Sequence, residues 1–342
     1  LDPLAPDQLL GLDATRTVQA ALSAHLDPFD EMADAQELEL IRWIRGEDAF
    51  DSDGDGDRFE SRSWLLGDVI HSRPLVVNYG VRPGTGYSTT NPEIRLFFGT
   101  NDGIFHSLNN TSDHGADPEL GRETWAFIPP AMLEMQAALG DASLRAPAGH
   151  PYGMDGEAVA LIEDLDGDGN IESAEGDKVW VVIGQRRGGR GYYAFDMTDP
   201  DNPRFKWMID NHTPGFEQLA LGFSTPRPAR LDLGEGSPTS VLVFAGGYNG
   251  GWRGTHRIGK DGGGASDTVG NAIYVVAADD GRLIWRAVGP NGTAAPDEND
   301  QLHYVRAMTH SIPSPLAVVD SDGNGIDDFA TPHDGHRIGN CH

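Results

Sequence analysis

A threefold recurrence of one strand pattern restricts the fold of this chain more than any other feature. Ile104-Phe105-His106-Ser107-Leu108-Asn109, Tyr192-Tyr193-Ala194-Phe195-Asp196 and Ile273-Tyr274-Val275-Val276-Ala277 each lead, across a polar turn in the latter two (Asp199-Pro200, Asp280-Gly281), to a strand bearing Trp125, Trp207 or Trp285. Each is preceded by an apolar strand that ends in glycine, at Gly99, Gly184 and Gly246. Opening strands fit ahead of these at 72–77, 156–160 and 225–229, and a fourth begins at 314–319. Four strands per unit, repeated at intervals of roughly 70 to 90 residues, match the logic of propeller blades carrying inserted loops. The Gly-rich stretch 246–264 reads as one such insertion. The expected fold is all-β: a modified, partial β-propeller of four-stranded blades, because a closed propeller needs at least about four blades.

The first 50 residues have a different period. Asp13 can cap a helix with Val18, Ala21, Leu22 and His25 on one face, and Asp34 with Glu37 resembles a capping box ahead of Leu38, Ile41 and Ile44. Gly46 then stops that second helix. The division expected is a helical lead-in and acidic linker over 1–63, blades over 64–330 (three complete, a fourth begun), and an atypical tail over 331–342. The tail is polar and without alternation, as a truncated or frame-shifted end would be, and is expected to be disordered or oddly packed. Gly 44 and Pro 22 in 342 residues suit many short strands joined by turns, and 38% hydrophobic residues suffice for a core.

Charge and cysteine usage exclude several classes of function. A net charge of −28 repels nucleic acid and anionic membrane surfaces. Cys341 is the single cysteine, so no disulfide framework can form within the chain. No apolar window is long enough to span a membrane, and the start Leu1-Asp2-Pro3-Leu4 has neither Met nor a signal-like region. The chain reads as a piece of a larger exported precursor that uses a staple other than disulfides.

Three acidic segments could supply that staple, because Ca2+ takes 6–8 oxygen ligands and alternate carboxylates in a Gly-turned loop provide them. Asp164-Leu165-Asp166-Gly167-Asp168-Gly169-Asn170-Ile171-Glu172-Ser173-Ala174-Glu175 satisfies the full D-x-D-x-D-G-x5-E pattern between strand-like flanks. Asp164, Asp166 and Asp168 would give side-chain oxygens, Asn170 a carbonyl, Glu172 a direct or water-mediated contact and Glu175 a bidentate carboxylate. The second segment, Asp320-Ser321-Asp322-Gly323-Asn324-Gly325-Ile326-Asp327-Asp328, is a compact version. It would use Asp320, Asp322, Asn324, the carbonyl of Ile326, and Asp328. The third places Asp51, Asp53, Asp55 and Asp57 in the same alternation, but Arg62 occupies the twelfth position. Glu60 could substitute there, and an acidic linker explains this segment equally well.

Several motifs together resemble the C-terminal domain of PilC/PilY-type type IV pilus tip proteins. They are Leu66-Gly67-Asp68-Val69-Ile70-His71-Ser72-Arg73-Pro74, Gly99-Thr100-Asn101-Asp102-Gly103-Ile104-Phe105-His106, Trp125-Ala126-Phe127-Ile128-Pro129, Gly188-Gly189-Arg190-Gly191-Tyr192-Tyr193-Ala194-Phe195-Asp196 and Gly247-Tyr248-Asn249. The resemblance covers about residues 35–330 in the expected order. It implies a modified β-propeller whose calcium loop, matched here by 320–328, regulates pilus extension and retraction. It further implies an extracellular or cell-surface location at the pilus tip or outer membrane, roles in biogenesis, adhesion and twitching motility, and contacts with minor pilins and a host or abiotic surface. On this resemblance the family's adhesive N-terminal region is expected to be missing from these residues.

Two other readings remain. The Trp-bearing repeats are similar to those of pyrroloquinoline-quinone dehydrogenases, although the carboxylates lie in hairpin loops and no adjacent cysteine pair exists. A purely structural extracellular scaffold is the second. His303 and His310 have neither HExxH spacing nor triad order around them, and Gly188-Gly189-Arg190-Gly191 lacks the Lys-Ser/Thr of a phosphate loop. No catalytic residue is expected.

Overall fold

The computed structural model describes residues 34–82, 86–111, 120–140, 150–234, 237–253, 256–263, 267–290, 302–320 and 326. The helix expected near 13–25, most of the 320–328 loop and the 331–342 tail lie outside them. Two compact units form. One holds the residues up to 158 with 163–178 and 197–205; the other holds 159–162, 179–196 and 206 onward.

The first unit opens with helix α1 (Asp34–Ile44), which stops where Gly46 takes a φ of 98°. A short helix α2 (Leu133–Gly140) comes after the first sheet, and Leu40, Ile104, Ile128, Met132 and Leu133 bury against one another between these elements, with Ile41, Ile44 and Phe50 at the margin. The sheet itself is an antiparallel meander, β1 (Leu75–Gly80), β2 (Glu93–Gly99), β3 (Phe105–Asn109) and β4 (Glu123–Phe127), with neighbours in chain order. Phe97, Phe105, Trp125 and Phe127 form a buried aromatic chain, Phe105 meeting Trp125 edge-on at 6.1 Å.

A second meander runs β5 (Ala158–Glu163), β6 (Lys178–Gly184), β7 (Tyr192–Asp196) and β8 (Arg204–Ile209). The third has β9 (Arg227–Leu231), β10 (Thr239–Ala245), the inserted hairpin β11 (Trp252–Arg253) and β12 (His256–Arg257), then β13 (Ala272–Ala277), β14 (Leu283–Val288) and a parallel edge strand β15 (Leu302–Tyr304). Its spatial order is β15-β14-β13-β10-β9. The chain is therefore all-β with three sheets of blade connectivity and a short helix ahead of them, and no closed barrel forms among the described residues.

Local chemistry explains the repetition. Ser107 faces Trp125 and Leu108 faces Glu123, so Thr124 is an extra residue; Val275 faces Trp285 and Val276 faces Leu283, so Ile284 is another. The first and third sheets thus share a bulge immediately before the tryptophan, which sharpens the local twist. The strand-ending glycines are needed for close approach: a Cβ on Gly99 would lie 2.0 Å from the Met154 carbonyl oxygen, and one on Gly246 would lie 2.6 Å from that of Gly270.

Within the second unit, alternate residues of β10 face opposite ways, as a strand period of two requires. Leu242 and Phe244 join Trp180, Tyr192, Trp207 and Tyr274 in one core, while Val241 and Val243 join Val275 and Trp285 in another. The third sheet is buried on both faces, which accounts for the unbroken apolar run of β10. Trp207 also donates from Nε1 to the Ala278 carbonyl at 3.0 Å.

The strand expected at 314–319 is not formed: residues 315–320 run without regular pairing. Leu316 and Val318 still alternate inward onto the core of Val241 and Trp285. An opening strand acquires its hydrogen bonds from the next strand along the chain, and the position of that partner falls outside the described residues. The polar-turn reading before β14 stands: Gly281, at a φ of 71°, turns there against the Trp207 ring.

Candidate metal centres

The 164–175 loop joins β5 to β6, and its base is closed by Lys178 Nζ on Glu163 Oε2 at 3.0 Å. Asp164 organises the turn, accepting from Gly167 N–H through one carboxylate oxygen (2.8 Å) and from Gly169 N–H through the other (2.9 Å). Both glycines have positive φ, 73° and 85°, the conformation that a tight carboxylate loop demands and that most side chains resist. Asp166 accepts from Asp168 N–H at 3.2 Å, and Asp168 accepts from Asn170 N–H at 2.7 Å. The result brings one oxygen each of Asp164, Asp166 and Asp168 within 4.8 Å of one another. The donors are all hard oxygens, without His or Cys, a set that suits Ca2+ or Mg2+ and not zinc.

Asn170 engages its side-chain oxygen outside the cluster. Its Oδ1 accepts from Val81 N–H at 2.7 Å and its Nδ2 donates to Asp168, which leaves its carbonyl as the oxygen it has to offer a metal. Ile171 N–H donates to Tyr79 O at 3.0 Å, so the loop is zipped to the end of β1. Gly80 makes that approach possible: its φ is 72°, and a Cβ there would come within 2.5 Å of Asn170 Oδ1 and of the Gly169 carbonyl.

Sequence reasoning missed Asp177. This buried residue accepts from Leu165 N–H and Glu172 N–H, both at 2.9 Å, and those bonds hold its carboxyl below the usual range. Its signal is positional, two residues past the twelfth position and just before β6. Glu175, by contrast, is pushed above its ordinary value by the charge of Glu172, then by Asp166, partial burial and Asp168. Neighbouring negative charges disfavour the ionised form of Glu175, and a cation seated among them would relieve that repulsion.

The 51–57 segment repeats the design less completely. Gly56 N–H donates to Asp51 Oδ1 at 3.1 Å, Asp55 N–H to Asp53 at 3.2 Å and Asp57 N–H to Asp55 at 2.8 Å. Asp51, Asp53 and Asp55 form one triplet with oxygens within 4.8 Å, and Asp48, Asp53 and Glu60 form another. Asp57 turns instead to Phe59 N–H at 2.9 Å. Glu60 is raised by Asp55 first, then by burial and by Asp53, Asp57 and Asp48, so it shares the charge of the loop in place of Arg62. Asp48, upstream of the alternation and buried, was not legible as a participant; Ser52 donates to it from both N–H (3.0 Å) and Oγ (2.9 Å). Of the 320–328 set only Asp320 and Ile326 are described, while Asp322, Asn324 and Asp328 lie outside the described residues. No described helix is long and apolar enough to cross a membrane.

No family model matches the chain. Among curated proteins it is 31% identical over 221 residues to the type IV pilus biogenesis factor PilY1 of Pseudomonas aeruginosa strain UCBPP-PA14, covering 60% of this chain and 17% of that protein. It is 29% identical over 221 residues to a PilY1 homolog of Xylella fastidiosa strain Temecula1, covering 59% and 16%. The chain thus spans about a sixth of the length of these relatives. A crystal structure of the P. aeruginosa PilY1 C-terminal domain aligns over 70% of this chain and 36% of that one, with a TM-score of 0.41 and 21% identity. Over the aligned 60% of its residues, the chain is homologous to the type IV pilus biogenesis factor PilY1.

Proposed function

We propose that this chain is a calcium-binding blade region of a type IV pilus biogenesis protein, exported to the cell surface, where it supports pilus extension and retraction, attachment and twitching motility. The homology to PilY1 supports the pilus assignment. The observation that carries the calcium reading is the 164–175 loop, where the Asp164, Asp166 and Asp168 carboxylates converge and Glu175 is held above its ordinary value by the charge of Glu172 first and then of Asp166 and Asp168. Asp164, Asp166, Asp168 and Glu175 would hold the ion, with the Asn170 carbonyl completing one side. Calcium would remove the mutual repulsion and lock the hairpin. Minor pilins and a host or abiotic surface are the partners this role calls for.

The test uses Asp166→Ala, because Asp166 orders only one loop N–H whereas Asp164 orders two. At calcium about 100-fold above Kd, one site stabilises by about 2.7 kcal/mol. Calorimetric titration of the full chain should show one fewer calcium site in the variant, with a smaller calcium-induced rise in Tm. Equal stoichiometry and an equal rise in the two proteins would refute the site. Twitching by the parent bacterium carrying Asp166→Ala reads out the pilus role.

A further inference from the structure

A second cluster of reactive groups lies in the Gly-rich insertion, away from the acidic loops. Asp267 is 0% exposed and Asn249 4% exposed. Asp267 Oδ1 accepts from Asn249 Nδ2 at 3.1 Å, while Oδ2 meets Lys260 Nζ at 3.3 Å and Ser311 N–H at 2.8 Å. His310 Nδ1 stands 3.6 Å from Oδ2 on the exposed side. An amine and a carboxamide nitrogen are thus held on the two oxygens of one buried carboxylate. The backbone fixes the same juxtaposition: Lys260 N–H donates to the Asn249 carbonyl at 2.9 Å, and Gly259, at a φ of 53°, lets the chain pass where a Cβ would lie 2.5 Å from that oxygen.

We propose that Lys260 and Asn249 become joined by an intramolecular amide bond, with Asp267 as the proton-transfer group. Lys260 is the nucleophile, Asn249 the acyl donor and its Nδ2 the leaving group. The Asp267 carboxylate takes a proton from the Lys260 ammonium, and the free amine adds to Asn249 Cγ. The Cγ–Nδ2 bond then breaks as Asp267 returns the proton to the departing nitrogen, which leaves as ammonia and takes up the second lysine proton to become ammonium. One side-chain ammonium and one carboxamide give one secondary amide and one ammonium ion, with no oxidant or reductant involved. Asp267 is fully buried while Lys260 is one-third exposed, so the pair is partly stripped of water, and the shared carboxylate draws the amine and the carboxamide toward one point. Asp267 begins ionised and so has a place for the proton: burial works to raise it, but bonds from Ser311 N–H, Asn249 and Lys260 hold it below the usual carboxylate range, which makes the first proton transfer the slow step. The product would tie the β11–β12 insertion across its own neck.

The experiment is an intact-mass measurement on the purified full chain, with tryptic mapping. The expected mass is about 17 Da below that of the sequence, the mass of one ammonia, with a branched peptide joining the Asn249 and Lys260 segments. Lys260→Arg and Asp267→Asn should both restore the full mass. A wild-type mass equal to that of the sequence overturns the proposal. So does a loss that persists in Lys260→Arg, because ring closure at the Asn249-Gly250 pair releases the same ammonia without the lysine.

Discussion

Glu93, at the start of β2, is 0% exposed and lies between two guanidinium groups. Its Oε2 accepts from Arg82 Nη1 at 2.8 Å, and its Oε1 accepts from Arg95 Nε at 2.9 Å and from Arg95 Nη2 at 2.5 Å. Asp201, 57% exposed at its side chain, bonds to both arginines, and Asp199 meets Arg82 at 3.2 Å. Burial works against the charge on Arg82, but bonding to Glu93 and Asp201 outweighs it and raises the guanidinium above its ordinary value. Substituting Glu93→Gln preserves shape and one acceptor but removes the buried negative charge. Breaking a buried pair from one side costs about 3–5 kcal/mol, and the retained amide acceptor places this variant near the lower end. Asp201→Asn, at the exposed end, should cost no more than about 1 kcal/mol. Urea unfolding monitored by tryptophan fluorescence, with midpoint and slope fitted separately, gives both values. If Glu93→Gln costs no more than Asp201→Asn, the network is a surface ornament and the reasoning fails.

The acidic loop yields two further expected outcomes. Gly80→Ala should weaken calcium binding as well as stability: the positive φ costs about 1–2 kcal/mol, and the new Cβ would collide with Asn170 and push the loop off β1. A stability loss with calcium stoichiometry and affinity unchanged would separate the two effects and refute the coupling. The pH dependence has a defined sign. Glu175 has a folded pKa above its ordinary 4.5, so in chelator its contribution to stability is complete below 4.5 and is lost as pH rises through the raised value. Calcium requires the ionised carboxylate, so the calcium-induced rise in Tm should be largest at neutral pH and shrink as pH falls toward 4.5. Asp177, with its lowered folded value, contributes stability that is lost only at more acidic pH, as pH drops from its ordinary 3.8 through that value. A rise in Tm that is constant from neutral pH down to 4.5 would remove Glu175 from the ligand set.

The strand triplets were legible because their determinants are local: an apolar strand at β2, β6 and β10, a glycine where the backbone must touch its neighbour, a turn, then tryptophan. Carboxylate spacing was legible for the same reason, since Asp164, Asp166 and Asp168 reach one point through bonds that span five residues or fewer. Contacts without a local rule were not. The parallel strand β15 joins β14 from across a long connection. Asp48 enters its loop through Ser52, outside the alternation. The Arg82–Glu93–Asp201 network draws on positions 119 apart in sequence, which no period or motif links. The missing strand at 314–319 shows the converse: alternation was present and packed, but a strand also needs a neighbour.

The grip of the acidic loop on β1 has a mechanical consequence. Val81 N–H and Asn170 Oδ1 are 89 positions apart in the chain, and Ile171 N–H to Tyr79 O lies beside them. Tension applied across Val81 and Asn170 would load these two bonds before the strands between them could peel. An ion seated in the loop would stiffen one jaw of that clasp, so the force needed to open it, measured by single-molecule extension, should rise with free calcium.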